Sequence, residues 1–141
     1  MLVLVLVALV ACSRSPNPNA RISIITTGGP VGVSVEVADT NAERAQGLSG
    51  RAELGSADGM AFLFDGPTTG RFWMKDTTIP LSIAFWDSSR RIVRIIQMAP
   101  CGTEPCPTYR PPVPYVGALE VNRGFFEQHG VKVGDRIAIH T

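Results

Sequence analysis

The chain has 141 residues, with 13 Lys and Arg against 12 Asp and Glu and a formal charge of +1. That length allows one domain. A balance so near neutral leaves no electrostatic footprint for nucleic acid, and no later run approaches the ~20 apolar residues that cross a bilayer as a helix.

Residues 2–10 are only Leu, Val and Ala. The run is too short to span and suits the apolar core of an export signal. It ends in Leu9-Val10-Ala11-Cys12, which resembles the lipobox of bacterial lipoproteins, where small residues precede the thiol that takes a diacylglycerol thioether. The competing reading is a buried apolar strand with Cys12 an ordinary thiol. No Lys or Arg precedes the run, which departs from the signal pattern. Residues 13–30 open on Ser13-Arg14-Ser15-Pro16-Asn17-Pro18-Asn19 and are expected to form a flexible spacer. The predicted organisation is a signal peptide over 1–12 ending at lipidated Cys12, a spacer over 13–30, and a mainly-β domain over 31–141. A lipid on Cys12 would make a membrane the first partner. Ser13 directly after that cysteine, by resemblance to Gram-negative lipoproteins, implies the periplasmic face of the outer membrane.

Val31, Val33, Val35 and Val37 alternate with smaller or polar residues, the period of a half-buried strand. Thr40-Asn41-Ala42-Glu43 matches a capping box. A short helix is expected over 41–48, with Ala45 and Leu48 inward and Gly50 ending it. Residues 59–64 form a second apolar run, Asp65-Gly66-Pro67 a turn, and residues 71–75 an extended segment. Leu81, Ile83 and Phe85 alternate into a core, the chain reverses at 87–90, and residues 92–98 return as a hairpin. Six prolines between 99 and 114 exclude a helix or a central strand there. A brief strand at 118–121, a helical turn at 125–129 closed by Gly130, and a last strand at 137–140 complete the pattern. Many short strands and two short helices point to a compact single-domain barrel or sandwich.

Cys101 and Cys106 stand four residues apart within the proline-rich stretch, where a disulfide would pin a loop with little else to order it. A thiol pair for zinc or redox chemistry is the alternative. The further ligands would be His129 and His140, at no zinc spacing, and a thioredoxin-like site needs two intervening residues. No metal and no cofactor is therefore expected.

Several blocks then follow one another in order: Glu43-Arg44-Ala45-Gln46-Gly47-Leu48-Ser49-Gly50-Arg51, Phe72-Trp73-Met74-Lys75-Asp76-Thr77, Leu119-Glu120-Val121-Asn122-Arg123-Gly124-Phe125-Phe126 and Val133-Gly134-Asp135. Together they resemble the bacterial and archaeal family called domain of unknown function 192, over residues 31–140. The resemblance implies a compact mainly-β fold and, since many members are exported, an envelope compartment. It implies no particular activity. Ser82 stands where many members carry Asp after Pro-Leu, so a role for that carboxylate in relatives would be missing here.

Strand alternation puts Trp73, Lys75 and Thr77 on one face and Phe72, Met74 and Asp76 on the other. A Trp beside a Lys can stack a ring while the ammonium binds an anion; equally, Lys75 can simply cover a packed Trp73. Arg44 and Arg51 are two helical turns apart and could clamp a carboxylate or phosphate, or pair with Glu120 or Asp76 of their own chain. Glu120, within an apolar strand, is expected to be an arginine's salt-bridge partner. No nucleophile elbow, phosphate loop or dinucleotide fingerprint is present. Two functions remain: a non-catalytic binding or accessory module meeting an envelope polymer or protein, with Trp73, Lys75, Arg44, Arg51 and Thr77 around a shallow groove, or a small enzyme on a sugar or peptide polymer using Lys75, Asp76 and Glu120. The first predicts ordinary pKa values and the second two titratable groups within hydrogen-bond reach.

Overall fold

The computed structural model describes residues 20–140. The expected signal peptide with Cys12, and the first part of the expected spacer, lie outside the described residues. Regular structure begins earlier than Val31. Ala20, Ile22 and Ile24 are buried on alternate positions of β1 (Ala20–Thr26). A tight turn leads into β2 (Gly29–Ala38), with the Thr26 hydroxyl donating to the Gly29 carbonyl at 2.7 Å and accepting from the Gly28 N–H at 3.1 Å. Residues 20–30 are thus a strand and a turn rather than spacer. The prolines of 16–18 and the polar turn at 27–30 flank a short alternating run that belongs to the core.

The capping box forms as its residues dictate. Thr40 accepts from the Glu43 N–H, and Glu43 reaches back to the N–H of Thr40, starting α1 (Asn41–Gln46). The helix stops sooner than expected because Gly47 turns to a positive φ of 49°. Leu48 is buried, but Ala45 is exposed. β3 (Asp58–Thr68) runs through the expected turn at Asp65-Gly66-Pro67, which is taken up as an irregularity between Leu63 and Thr68 in its pairing with β8 (Tyr115–Asn122). A bulge lets glycine and proline sit in an extended segment without ladder bonds.

β5 (Leu81–Trp86) and β6 (Ile92–Met98) make the expected hairpin, closed by the Asp87 carboxylate accepting from the N–H groups of Ser89 and Arg91. β4 (Phe72–Trp73) pairs with β7 (Thr108–Tyr109), a two-residue strand inside the proline-rich stretch. α2 (Phe125–Gln128) and β9 (Arg136–His140) complete the chain.

The seven-stranded sheet has the order β6-β5-β8-β3-β2-β1-β9. Only β2 and β3 are parallel. It curls until its ends meet: Ile92 donates its N–H to Asp135 and Ile137 its N–H to Arg90, around a single bridge between Arg91 and Arg136. The fold is mainly β, as the pattern of short strands implies. Opposite faces of the strands serve two cores. Ile22, Ile24, Val33, Trp86, Leu119 and Ile137 pack inside the curl with Phe125 and Phe126 of α2. Met60, Phe62, Ile83, Phe85, Tyr115 and Ala118 pack on the other face, under Leu48, Met74 and Ile79. β5 is buried along its whole length because both cores claim it.

Candidate ligand cleft

Glu120 lies at the centre of the second face. In register it sits between Ile83 of β5 and Met60 of β3, two strands from the edge on the β5 side and four from the edge on the β3 side. It is 5% exposed. Among the described residues its carboxyl makes no hydrogen bond and no ion pair, and neither oxygen is sealed from the surface without a partner. The oxygens therefore open onto the cleft that it lines. Burial alone pushes this carboxyl up to about 8, so it is a neutral acid at pH 7. The expected salt bridge to an arginine is not formed among the described residues, because none of their guanidiniums pairs with this carboxyl.

The space is a cleft of about 270 Å³ between α1, the outer face of β3, and the segment around β4. Phe62 and Phe64, successive outward positions of β3, form an aromatic wall with Phe72. Trp73 stands at the mouth, 52% exposed. Thr77 is buried in the lining. Arg44 enters from α1 with its guanidinium 5.0 Å from the Phe64 ring centre, a cation–π contact. It donates to the carbonyls of Asp39 and Leu63 and to the Asn41 side chain, at 2.6–2.7 Å. Arg71 is the other cation in the lining, and it has no ion pair among the described residues.

The residues read from sequence divide between two places. Trp73, Thr77 and Arg44 share the cleft, and Lys75 and Arg51 do not. The alternation assumed for 72–77 ends after Trp73. Thr77 donates its N–H to the Met74 carbonyl, and Asp76 takes a φ of 56°, so the chain turns. Lys75 then faces the cysteine loop, with its ammonium 3.7 Å from Asp76 and 4.0 Å from Glu104. Arg51 departs because α1 ends before a second turn. It pairs bidentately with Glu36 at 2.5 Å in a neighbouring groove. The Arg51 hydrogen bonds hold the Glu36 carboxyl below its usual range and raise the guanidinium in turn. Phe62, Phe64 and Arg71 were not legible as site residues: the phenylalanines read as core, and Arg71 stands alone beside a glycine. Ser82 points away from the cleft, its register partner being Val121, and its hydroxyl accepts from the Gly124 N–H at 3.3 Å.

The Cys101–Cys106 disulfide is formed, as read from the spacing. It braces the mouth. Cys101 donates its N–H to Met74 and accepts from that of Asp76. Among the described residues no group of three or more His, Cys, Asp and Glu is arranged to hold a metal.

Fold and cleft together define a small curled-sheet domain with an aromatic-walled cleft over one buried acid. The chain belongs to the DUF192 family (Uncharacterized ACR), whose model matches residues 23–139. A solved structure of a protein of unknown function from Novosphingobium aromaticivorans DSM 12444 is similar, with 31% identity and a TM-score of 0.80 over 89% of this chain and 94% of that one. A second, from Sinorhizobium meliloti 1021 and described provisionally as a transcription regulator, shares 30% identity, with a TM-score of 0.79 over 89% and 97%. No curated protein matches.

Proposed function

We propose that this chain is a lipid-anchored protein of the bacterial cell envelope whose domain binds, without transforming, a small ring-bearing group such as one unit of an envelope polymer. The carrying observation is the cleft itself, with a half-exposed Trp73 at its mouth and a single buried carboxyl at its floor. Stacking on an exposed indole and a few inward polar groups is how compact clefts take rings. Acid–base hydrolysis needs a second titratable group poised against the first. Among the described residues no second carboxyl and no histidine lines the cleft beside Glu120. The raised Glu120 value is far from the ordinary one a simple groove implies, and the binding reading takes Glu120, in the cleft lining, as a protonated donor. The anchor rests on Leu9-Val10-Ala11-Cys12 and the polar residues after it. The near-neutral charge gives no support for nucleic acid as a partner.

Titration of the purified protein with soluble envelope glycans, followed at the Trp73 indole N–H by NMR, tests the binding reading. Saturable shifts lost in Trp73→Ala support it, whereas glycan cleavage would replace it with the enzyme. Labelled fatty acid should enter the wild-type protein and not Cys12→Ala; absence of label from both removes the anchor.

A further inference from the structure

The charge balance of the cleft names the class of ligand, an inference that rests on the binding reading above. Three charged or chargeable side chains line it: Arg44, Arg71 and Glu120. Neither arginine has a carboxylate partner among the described residues. Arg44 spends three of its five N–H groups on neutral acceptors, which fix its fork over Phe64 without cancelling its charge. Asp39 offers Arg44 its carbonyl and makes no ion pair with it among the described residues, and three other carboxylates are engaged elsewhere. Glu36 is held by Arg51, Asp76 lies beside Lys75, and Glu43 is tied into the capping box. In register Glu120 faces Met60 of β3 and Ile83 of β5, neither of which carries charge. An uncharged acid at the floor and two uncompensated guanidiniums above leave the cleft positive.

We infer that the cleft takes an anion: a single ring bearing a carboxylate, its face on Trp73, its charge against Arg44 and Arg71, and one of its oxygens accepting a hydrogen bond from the Glu120 acid. A cation would meet two arginines with nothing to pair it. The volume of about 270 Å³ suits one ring rather than a chain. Glu120 acts as donor only while it keeps its proton. Above about 8 it ionises, and its charge then repels the ligand.

Glucuronate and glucose serve as probes, with the Trp73 indole N–H as readout, at about pH 6 and about pH 9.5, on either side of the Glu120 value. Glucuronate should bind and glucose should not, or should bind at least about tenfold more weakly. Glucuronate affinity should fall at least about tenfold at the higher pH, the factor for one pKa unit of coupling. Glu120→Gln keeps a donor without a titrating proton, so it should bind glucuronate with no such pH dependence. Arg71→Ala, an exposed change, should weaken glucuronate and leave the fold intact. Glucose binding as well as glucuronate would overturn the anion inference while sustaining the cleft. An unchanged pH dependence in Glu120→Gln would remove Glu120 from the chemistry. Failure of both sugars to shift Trp73 would bring down the binding reading and this inference together.

Discussion

The Trp86 indole lies against the backbone of Gly117, its register partner across β5 and β8, so closely that a Cβ there would stand 2.1 Å from the ring. Trp86 is the largest fully buried side chain, and glycine is what lets it lie flat on the neighbouring strand. Gly117→Ala should therefore destabilise by about 1–3 kcal/mol, the usual cost of overpacking. Thermal or urea unfolding measures it. An alanine variant as stable as wild type would mean that the indole is not seated there.

Glu120 ties stability to pH. Its folded value of about 8 stands above an ordinary 4.5. Between those values the folded state holds a proton that the unfolded state releases, so stability is full below 4.5, falls as pH rises toward 8, and is level beyond. The slope is at most about 1.4 kcal/mol per pH unit. Glu120→Gln should lack this component. Its Tm relative to wild type should climb between about pH 5 and about pH 8, and parallel profiles would contradict the buried acid.

The disulfide should matter to the mouth more than to the sheet. Replacing Cys101 and Cys106 with Ser should cost up to roughly 2 kcal/mol. It should also loosen the Met74 and Asp76 contacts that hold the end of β4. Intact mass should shift on alkylation only after reduction. Hydrogen exchange should quicken at residues 72–76 and stay slow in β8; uniform quickening would count against a local brace.

The two tryptophans should separate in fluorescence. Trp73 is 52% exposed and Trp86 is 1% exposed, so acrylamide should quench one component and spare the other. Trp73→Ala should remove the quenchable component and cost well under the ~3–5 kcal/mol of a core aromatic. A wild-type spectrum with no accessible component would take the stacking platform away.

Period-two alternation, the capping box and the hairpin at 87–90 were legible because each is decided by neighbours in the chain. Glu120 was legible as an oddity, a carboxylate in an apolar strand, but its partner was not. That depended on whether any arginine could reach the middle of a sheet formed by strands far apart in sequence. Arg51 was misplaced beside Arg44 because helical spacing holds only while the helix lasts, and Gly47 ends it. Lys75 was misplaced beside Trp73 because alternation holds only within a strand, and β4 has two residues. β1 was missed because its flanks are rich in turn residues while its own pattern is short.

The pairing of β4 with β7 alone has a consequence for how the cleft works. Glu120 and the phenylalanines of β3 stand on the large sheet, whereas Trp73 stands on a two-stranded ribbon that shares no ladder with it. Floor and lip are therefore joined by side-chain packing, Phe72 against Phe62 and Phe85, and not by a ladder. A ligand gripped by both would stitch them together. Its grip would then depend on the packing of ribbon against sheet as well as on the contacts it makes itself.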